Sequence, residues 1–233
     1  MKKFIVATVG LFFVVSFVVP VTFAKTMRDT QNALWASTPP VFSDIPAGHM
    51  NYNAIAMLNE DEIIKGYADG TFKPNGSVNR AELTKMVVAW MEKGVDISSY
   101  KNCFPDVKTE WFAPYVCYAK AQGWVSGYPD GKFKPSNPVN RVEAIKIVFN
   151  IMIPSKPLDY WPTPTEAEKQ LPLPKDAAKG QWYAGYLAFA IAKELLDGQH
   201  VTGNSNAFYY KPAESMTRKE VAEMMYRIWL YMA

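Results

Sequence analysis

A short pattern that occurs three times is the strongest constraint on how this chain folds. The pattern is a helix-capping residue followed by Arg, any residue and Glu, at 79–82, 140–143 and 217–220. Upstream of the first two copies, residues 66–74 and 127–135 both read Gly-Tyr-x-Asp-Gly-x-Phe-Lys-Pro. Self-similarity over this distance predicts a repeated supersecondary unit rather than unrelated domains.

Each unit is predicted to be a helix, a structured loop and a second helix, which gives a mainly α fold. The second helices carry one apolar stripe with the spacing i, i+3, i+4, i+7 and i+8. The stripe consists of Leu83, Met86, Val87, Trp90 and Met91, then Ala144, Ile147, Val148, Ile151 and Met152, then Val221, Met224, Met225, Ile228 and Trp229. We expect the first helices at about 53–61, 113–122 and 183–196.

The start of each second helix is predicted to be a capping box, in which a side-chain oxygen and a Glu satisfy orphan amides. The pairs are Asn79 with Glu82, Asn140 with Glu143 and Thr217 with Glu220. The box does not explain Arg80, Arg141 and Arg218, because a cation in the first turn opposes the helix dipole. Each guanidinium either joins free helix-start amides to bind a carboxylate or phosphate, or pairs with a neighbouring acidic residue on the surface. Recurrence favours the first interpretation.

The connecting loops are predicted to be ordered. Gly66 and Gly127 fall where a helix end often needs a positive backbone angle, and Asp-Gly then supplies a tight turn. Asp69 and Asp130 fit a turn better than a calcium loop, since the alternating oxygen ligands and the closing Glu of an EF-hand are missing.

Together with Phe-x-Asp at 42–44 and 104–106, these motifs resemble the S-layer homology family. The resemblance implies three helix-loop-helix repeats, at 42–92, 104–153 and 173–233, in a pseudo-threefold arrangement around a central helical bundle. It also implies noncovalent binding of cell-wall polysaccharide, often bearing pyruvate ketal groups, in grooves between the repeats.

The resemblance carries over a set of polysaccharide-binding residues. They are Arg80, Arg141, Arg218, Asp44, Asp106, Asp176, Trp111, Trp182, Gly66 and Gly127. A ketal carboxylate suits a guanidinium, and an indole face can pack on a sugar ring, while the Asp and Trp side chains could equally be caps or core anchors.

The repeats also depart from the family pattern. Met50 stands at the Trp position of the first repeat, and a polar stretch at 197–208 replaces Gly-Tyr-x-Asp-Gly in the third. We therefore expect the better grooves at the Gly66 and Gly127 loops, with Arg80 and Arg141 ahead of Arg218.

The N-terminal segment 1–24 has a basic start, an apolar stretch and Ala24, which predicts an export signal, with an uncleaved membrane anchor as the alternative. Residues 25–41 and the proline-rich 154–172 are predicted linkers. Cys103 and Cys117 are expected to form a disulfide in an exported chain, the alternative being two buried thiols.

Composition argues against several functions. The net charge of +3 includes Lys2 and Lys3, which leaves no field suited to nucleic acid. His49 and His200 are the only histidines, and no catalytic set, metal site or cofactor motif is recognisable. We expect a non-catalytic wall anchor or surface-layer component, with other envelope proteins as further partners. A structural or protein-interaction module and an envelope enzyme remain the alternatives.

Overall fold

The computed structural model describes residues 40–152, 174, 176–177, 180–196 and 209–232. Within these ranges the chain forms six α-helices and no strands, which confirms the mainly α prediction. The helices are α1 Tyr52–Glu60, α2 Arg80–Met91, α3 Ala113–Ala121, α4 Arg141–Met152, α5 Ala184–Ala192 and α6 Arg218–Met232. None of these helices is long and apolar enough to cross a membrane. The predicted signal or anchor, both linkers (apart from residues 40–41) and the polar stretch 197–208 lie outside the described residues.

The helices interlock in a cyclic order. The first helix of each pair packs against the second helix of the preceding pair: α3 on α2, α5 on α4, and α1 on α6. The second helices form the centre, where α4 packs against both α2 and α6. Because α1 contacts the last helix of the chain, the three pairs close into a pseudo-threefold ring.

A triangle of backbone hydrogen bonds lies at the centre of this ring. The amide of Val78 donates to the carbonyl of Met216 at 3.1 Å, Met216 donates to Val139 at 2.9 Å, and Val139 donates to Val78 at 2.9 Å. The three residues are equivalent, each standing two positions before the arginine of its repeat, and all three are buried. Each bond joins a different pair of repeats.

The predicted apolar stripes form the core except in the last turns of α2 and α6, where Trp90 is half-buried and Met91 and Trp229 are exposed. In α4 every stripe residue is buried, and in α2 and α6 the stripe is buried up to its last turn. The prediction was wrong for Met91 and Trp229, which are each 37% exposed at the outer ends of α2 and α6. Val88, outside the predicted stripe, is fully buried, because α2 contacts both α3 and α4 and so buries more than one face.

The loops are ordered by a carboxylate that spans each of them. Both oxygens of Asp44 accept backbone amides, from Phe72 at 2.7 Å and Lys73 at 2.8 Å. Asp106 and Asp176 make the same pair of bonds in the second and third repeats. An aspartate near the start of each repeat therefore ties that start to the loop of the same repeat.

Gly66 and Gly127 do not have the positive backbone angle that the sequence predicted, so that prediction was wrong. Neither has a positive φ; that conformation occurs at Gly70 and Gly131 in the Asp-Gly turns. A Cβ on Gly66 would lie 2.4 Å from the Phe42 ring, so glycine is required there by close approach. The turn role of the preceding aspartates is supported, because Asp69 accepts the Thr71 amide at 3.0 Å.

Cys103 and Cys117 form the expected disulfide, which joins the segment before Phe104 to α3. Phe104 packs on Phe133 with ring centroids 5.4 Å apart, so the disulfide also fixes one wall of the Gly127 loop.

Candidate functional site

The predicted capping boxes form at the starts of α2 and α4. The Glu82 amide donates to Asn79 Oδ1 at 2.9 Å, and the Asn79 amide donates to Glu82 Oε2 at 2.9 Å. Asn140 and Glu143 make the same reciprocal pair. At α6 the Thr217 amide and hydroxyl both donate to Glu220 Oε2 at 2.8 Å, so there the Glu carboxylate carries the cap.

The helix-start amides are not free to bind an anion, which corrects one premise of the sequence interpretation. The amide of Arg80 donates to Asn137 at 3.0 Å and that of Ala81 donates to Pro135 at 3.1 Å. The equivalent amides at the starts of α4 and α6 donate to loop carbonyls in the same way. These bonds join each second helix to the loop of the following repeat, so any anion must be recognised by side chains.

The arginine side chains cross to the following repeat as well. Arg80 donates from Nε to the Phe133 carbonyl at 3.0 Å and from Nη2 to the Ser126 carbonyl at 3.4 Å. Arg218 makes the equivalent bonds to the first repeat, from Nε to the Phe72 carbonyl at 2.8 Å and from Nη2 to the Lys65 carbonyl at 3.0 Å. Carbonyl partners and ring contacts thus offset the unfavourable helix dipole at both arginines.

Arg141 has a different environment from the other two arginines. Like Arg80, which is 6% exposed, Arg141 is buried, with 4% exposed, but its Nη2 forms a short ion pair with Glu220 Oε1 at 2.5 Å. Its guanidinium also lies over the buried Tyr210 ring at 5.4 Å. Burial holds the pKa of the Tyr210 hydroxyl well above its usual value, so this residue stays neutral. The charge of Arg141, the arginine that lies against the third repeat, is thus neutralised by Glu220 within the protein.

A groove lies beside Arg80 at the Gly127 loop, and we call it the Gly127 groove. It has a volume of about 190 Å³, and its lining includes Arg80, Ser126, Gly127, Tyr128, Glu143, Lys146 and Trp182. Trp182 is 47% exposed, and Lys146 Nζ lies 5.1 Å from its ring centroid. The structure therefore brings together a guanidinium, an ammonium and an indole from three different repeats.

One carboxylate partly balances the cations of the Gly127 groove. Glu143 Oε1 lies 3.8 Å from Arg80 Nη1 and accepts the Tyr128 hydroxyl at 2.7 Å. Burial, and then the bond to Glu143, raises the pKa of Tyr128 to about 12. Tyr128 is therefore a neutral donor that holds Glu143 in place at any physiological pH.

Equivalent positions surround the loop of the first repeat, and we call them the Gly66 surface: Arg218, Lys65, Gly66, Tyr67, Glu82, Lys85 and Trp111. The Arg218 guanidinium lies 5.2 Å from the Tyr67 ring centroid, as Arg80 lies over Tyr128. Trp111 is 63% exposed and precedes α3, which packs on α2, just as Trp182 precedes α5 on α4.

Each arginine lies against the loop of the next repeat, a relation that the expected ranking of Arg80 and Arg141 ahead of Arg218 did not include. Arg218, not Arg141, lies against the Gly66 loop, and Arg80 lies against the Gly127 loop. The sequence interpretation ranked the arginines without assigning one to each loop, because the crossing between repeats is not visible in the sequence.

The third copy of the site has lost the cationic pattern. Glu223 stands where the other copies have Lys85 and Lys146, and Met50 stands where they have Trp. Glu223 accepts Asn51 Nδ2 at 3.1 Å and Arg227 Nε at 2.6 Å. Its carboxylate is buried in this network, so this surface does not repeat the anion-binding chemistry of the other two.

The predicted aspartates lie apart from the cationic groups. Asp44, Asp106 and Asp176 each use both carboxylate oxygens on the loop backbone, and Asp106 does not line the Gly127 groove. Among the described residues no group of three His, Cys, Asp or Glu side chains is placed to hold a metal ion.

Sequence reasoning missed the two lysines of α2 and α4. Lys85 and Lys146 stand five positions after Arg80 and Arg141, so extending the repeated pattern by one helical turn finds both. Tyr67 and Tyr128 were noticed only as part of the loop motif, although each contacts its arginine.

Comparison with known proteins gives one family match and several relatives. The S-layer homology domain model matches residues 41–84 and 104–145. A cellulosome-anchoring protein of Acetivibrio thermocellus is 27% identical over 193 residues, which covers 76% of this chain and 40% of that protein. Cell surface glycoprotein 1 of the same organism is 32% identical over 139 residues, covering 55% of this chain and 6% of the relative.

An endoglucanase of Bacillus sp. strain KSM-635 is also similar, with 25% identity over 214 residues. The match covers 91% of this chain and 20% of the endoglucanase. The chain therefore spans less than half the length of each of these three relatives.

Proposed function

Residues 41–84 and 104–145 belong to the S-layer homology domain family, and from this premise we propose that the chain is a non-catalytic module binding anionic, pyruvylated cell-wall polysaccharide. The protein is exported to the cell surface, where it anchors to the envelope or forms part of a surface layer. Other envelope or surface-layer proteins are further partners in this proposal.

The observation that carries the proposal is the composition of the Gly127 groove. A carboxylate on a sugar would lie between Arg80 and Lys146, and the pyranose ring would pack on the exposed face of Trp182. The groove is open, and Glu143 is too distant from Arg80, at 3.8 Å, to saturate the guanidinium. The Gly66 surface offers the same chemistry through Arg218, Lys85 and Trp111.

The alternative is a structural module in which the arginines serve only to hold the repeats together. The bonds from Arg80 and Arg218 to loop carbonyls favour it, since they join one repeat to the next. They do not explain two exposed tryptophans at equivalent positions, because a large exposed aromatic ring contributes little to the fold.

The test is sedimentation of the purified chain with wall sacculi, before and after removal of ketal-linked pyruvate. Since the arginines also stabilise the fold, the informative variants are Trp111→Ala and Trp182→Ala. Each should weaken binding about tenfold through loss of ring stacking, and the double variant should remain in the supernatant.

Trp229→Ala is the matched control, because Trp229 is a partly exposed tryptophan outside both sites. All variants should keep the helical circular dichroism of the parent chain. Equal pelleting of the double variant and the parent, or pelleting unaffected by pyruvate removal, would contradict the proposed polysaccharide site.

A further inference from the structure

The Gly66 surface and the Gly127 groove differ at a position that lies against the arginine in both. Arg218 Nη2 donates to the carbonyl of Lys65 at 3.0 Å, and Arg80 Nη2 donates to the carbonyl of Ser126 at 3.4 Å. The backbone contact is therefore the same and only the side chain changes. An ammonium group is added beside the Gly66 loop where the Gly127 loop has a hydroxyl.

The two sites also differ in how the arginine charge is balanced. In the Gly127 groove the Tyr128 hydroxyl holds Glu143 near Arg80. Tyr67, the equivalent of Tyr128, is 45% exposed, and among the described residues its hydroxyl makes no bond to Glu82. The lysine contact is common to both sites, since Lys73 Nζ lies 4.0 Å from the Tyr67 ring centroid and Lys134 Nζ lies 4.5 Å from that of Tyr128. Among the described residues Arg218 forms no ion pair with a carboxylate, so its charge is less compensated than that of Arg80.

The lysines of the Gly66 surface are close enough to influence each other. Burial, and then the charge of Lys65, lowers the pKa of Lys85. Lys85 is half-buried, and its Nζ lies 3.4 Å from the carbonyl of Ile63, two residues before Lys65. Crowded cations raise the local positive potential, and a bound anion relieves it.

One cation of the second repeat has no counterpart in the first, but it does not offset this difference. Lys132 replaces Thr71 in the loop, yet it does not line the Gly127 groove. Its charge acts on Asp130, in the Asp-Gly turn of the loop.

We infer that the Gly66 surface selects a sugar substituent with two negative charges, of the phosphomonoester type, whereas the Gly127 groove suits a single carboxylate. The inference rests on the proposed function for the location of the sugar. Arg218, Lys65 and Lys85 supply three cations against Glu82, whose carboxylate is engaged by the Asn79 amide. The Gly127 groove has two cations and one carboxylate, and a second ligand charge gains more where more cations face it.

The experiment resolves the two sites by the indole N–H signals of Trp111 and Trp182 in the ¹⁵N spectrum of the full chain. The signals are titrated at pH 8 and low salt with glucose 6-phosphate, glucuronate and uncharged glucose. Glucose 6-phosphate should bind more tightly at Trp111 than at Trp182, and glucuronate should show a smaller preference. Glucose should shift neither signal.

Two substitutions exchange the distinguishing side chain between the sites. Lys65→Ser should weaken the binding of glucose 6-phosphate at Trp111 about fivefold and leave its binding at Trp182 unchanged. Ser126→Lys should strengthen the binding of glucose 6-phosphate at Trp182 by a similar factor. Equal phosphate affinity at both tryptophans, or no effect of Lys65→Ser, overturns the selectivity while leaving wall binding intact. If no anionic sugar shifts either signal, both the selectivity and the proposed function are contradicted.

Discussion

At the scale of single residues, the arginines show what a repeated motif can and cannot reveal. Their recurrence in an electrostatically unfavourable position is visible in the sequence and indicates a shared role beyond solvation of the surface. Their partners were not visible, because Arg218 reaches a carbonyl 153 positions earlier in the chain. The three also differ in environment, since only Arg141 is neutralised by a short ion pair.

Glycine provides a residue-scale prediction. Gly66→Ala places a Cβ 2.4 Å from the Phe42 ring and 2.7 Å from the Thr71 carbonyl, so the loop must shift. We expect a loss of about 2 kcal/mol in the free energy of unfolding, as for an overpacked core. Urea denaturation followed by circular dichroism measures it.

Gly48→Ala is the matched control for that substitution, since a Cβ there meets no atom within 4 Å. Its effect should stay within about 0.5 kcal/mol. An equal effect of the two substitutions would show that the close approach at Gly66 carries no energetic weight.

At the scale of elements, the helices were predictable because their starts carry local signals. The capping boxes fixed the starts of α2 and α4, and apolar spacing fixed their buried faces. Helix ends were less predictable. The first helix of each repeat is followed by a residue with positive φ, namely Glu62, Gly123 and Glu194. Only one of the three is glycine, so no common stop signal marks these helix ends, and α5 ends four residues before the predicted boundary.

The disulfide supports a prediction at this scale. Replacing both Cys103 and Cys117 by Ser frees a loop with a sequence separation of 14 residues. The free energy of unfolding should fall by about 3 kcal/mol, because the unfolded chain gains conformational freedom. Guanidinium denaturation with and without a reductant measures the change.

The double Ser variant should also be insensitive to the reductant, whereas the parent midpoint should fall towards that of the variant. A parent midpoint that does not move when the thiols are shown to be reduced would contradict this role for the disulfide.

At the scale of the whole molecule, the sequence predicted three repeats in a pseudo-threefold arrangement, through a family resemblance. What it could not predict is that each first helix packs on the preceding pair, so that α1 depends on α6. This dependence couples the most distant parts of the described chain. It also explains why the sites are built from three repeats each, with Arg80, Lys146 and Trp182 as one example.

Removal of residues 209–233 tests this coupling. The deletion takes away α6, on which α1 and α4 pack, and exposes their apolar faces. We expect the shortened chain to lose its cooperative thermal transition, while the full chain unfolds in one step by both circular dichroism and tryptophan fluorescence. A shortened chain that keeps the helical signal of α1–α5 and a sharp transition would show that the repeats fold independently.

The triangle formed by Val78, Val139 and Met216 has a mechanical consequence if the chain acts under load as the proposed anchor. A force that pulls any one repeat outward strains two of the three bonds at once, and the third already joins the remaining two repeats. Resistance to tearing is therefore shared around the axis, whichever repeat is attached and whichever is pulled.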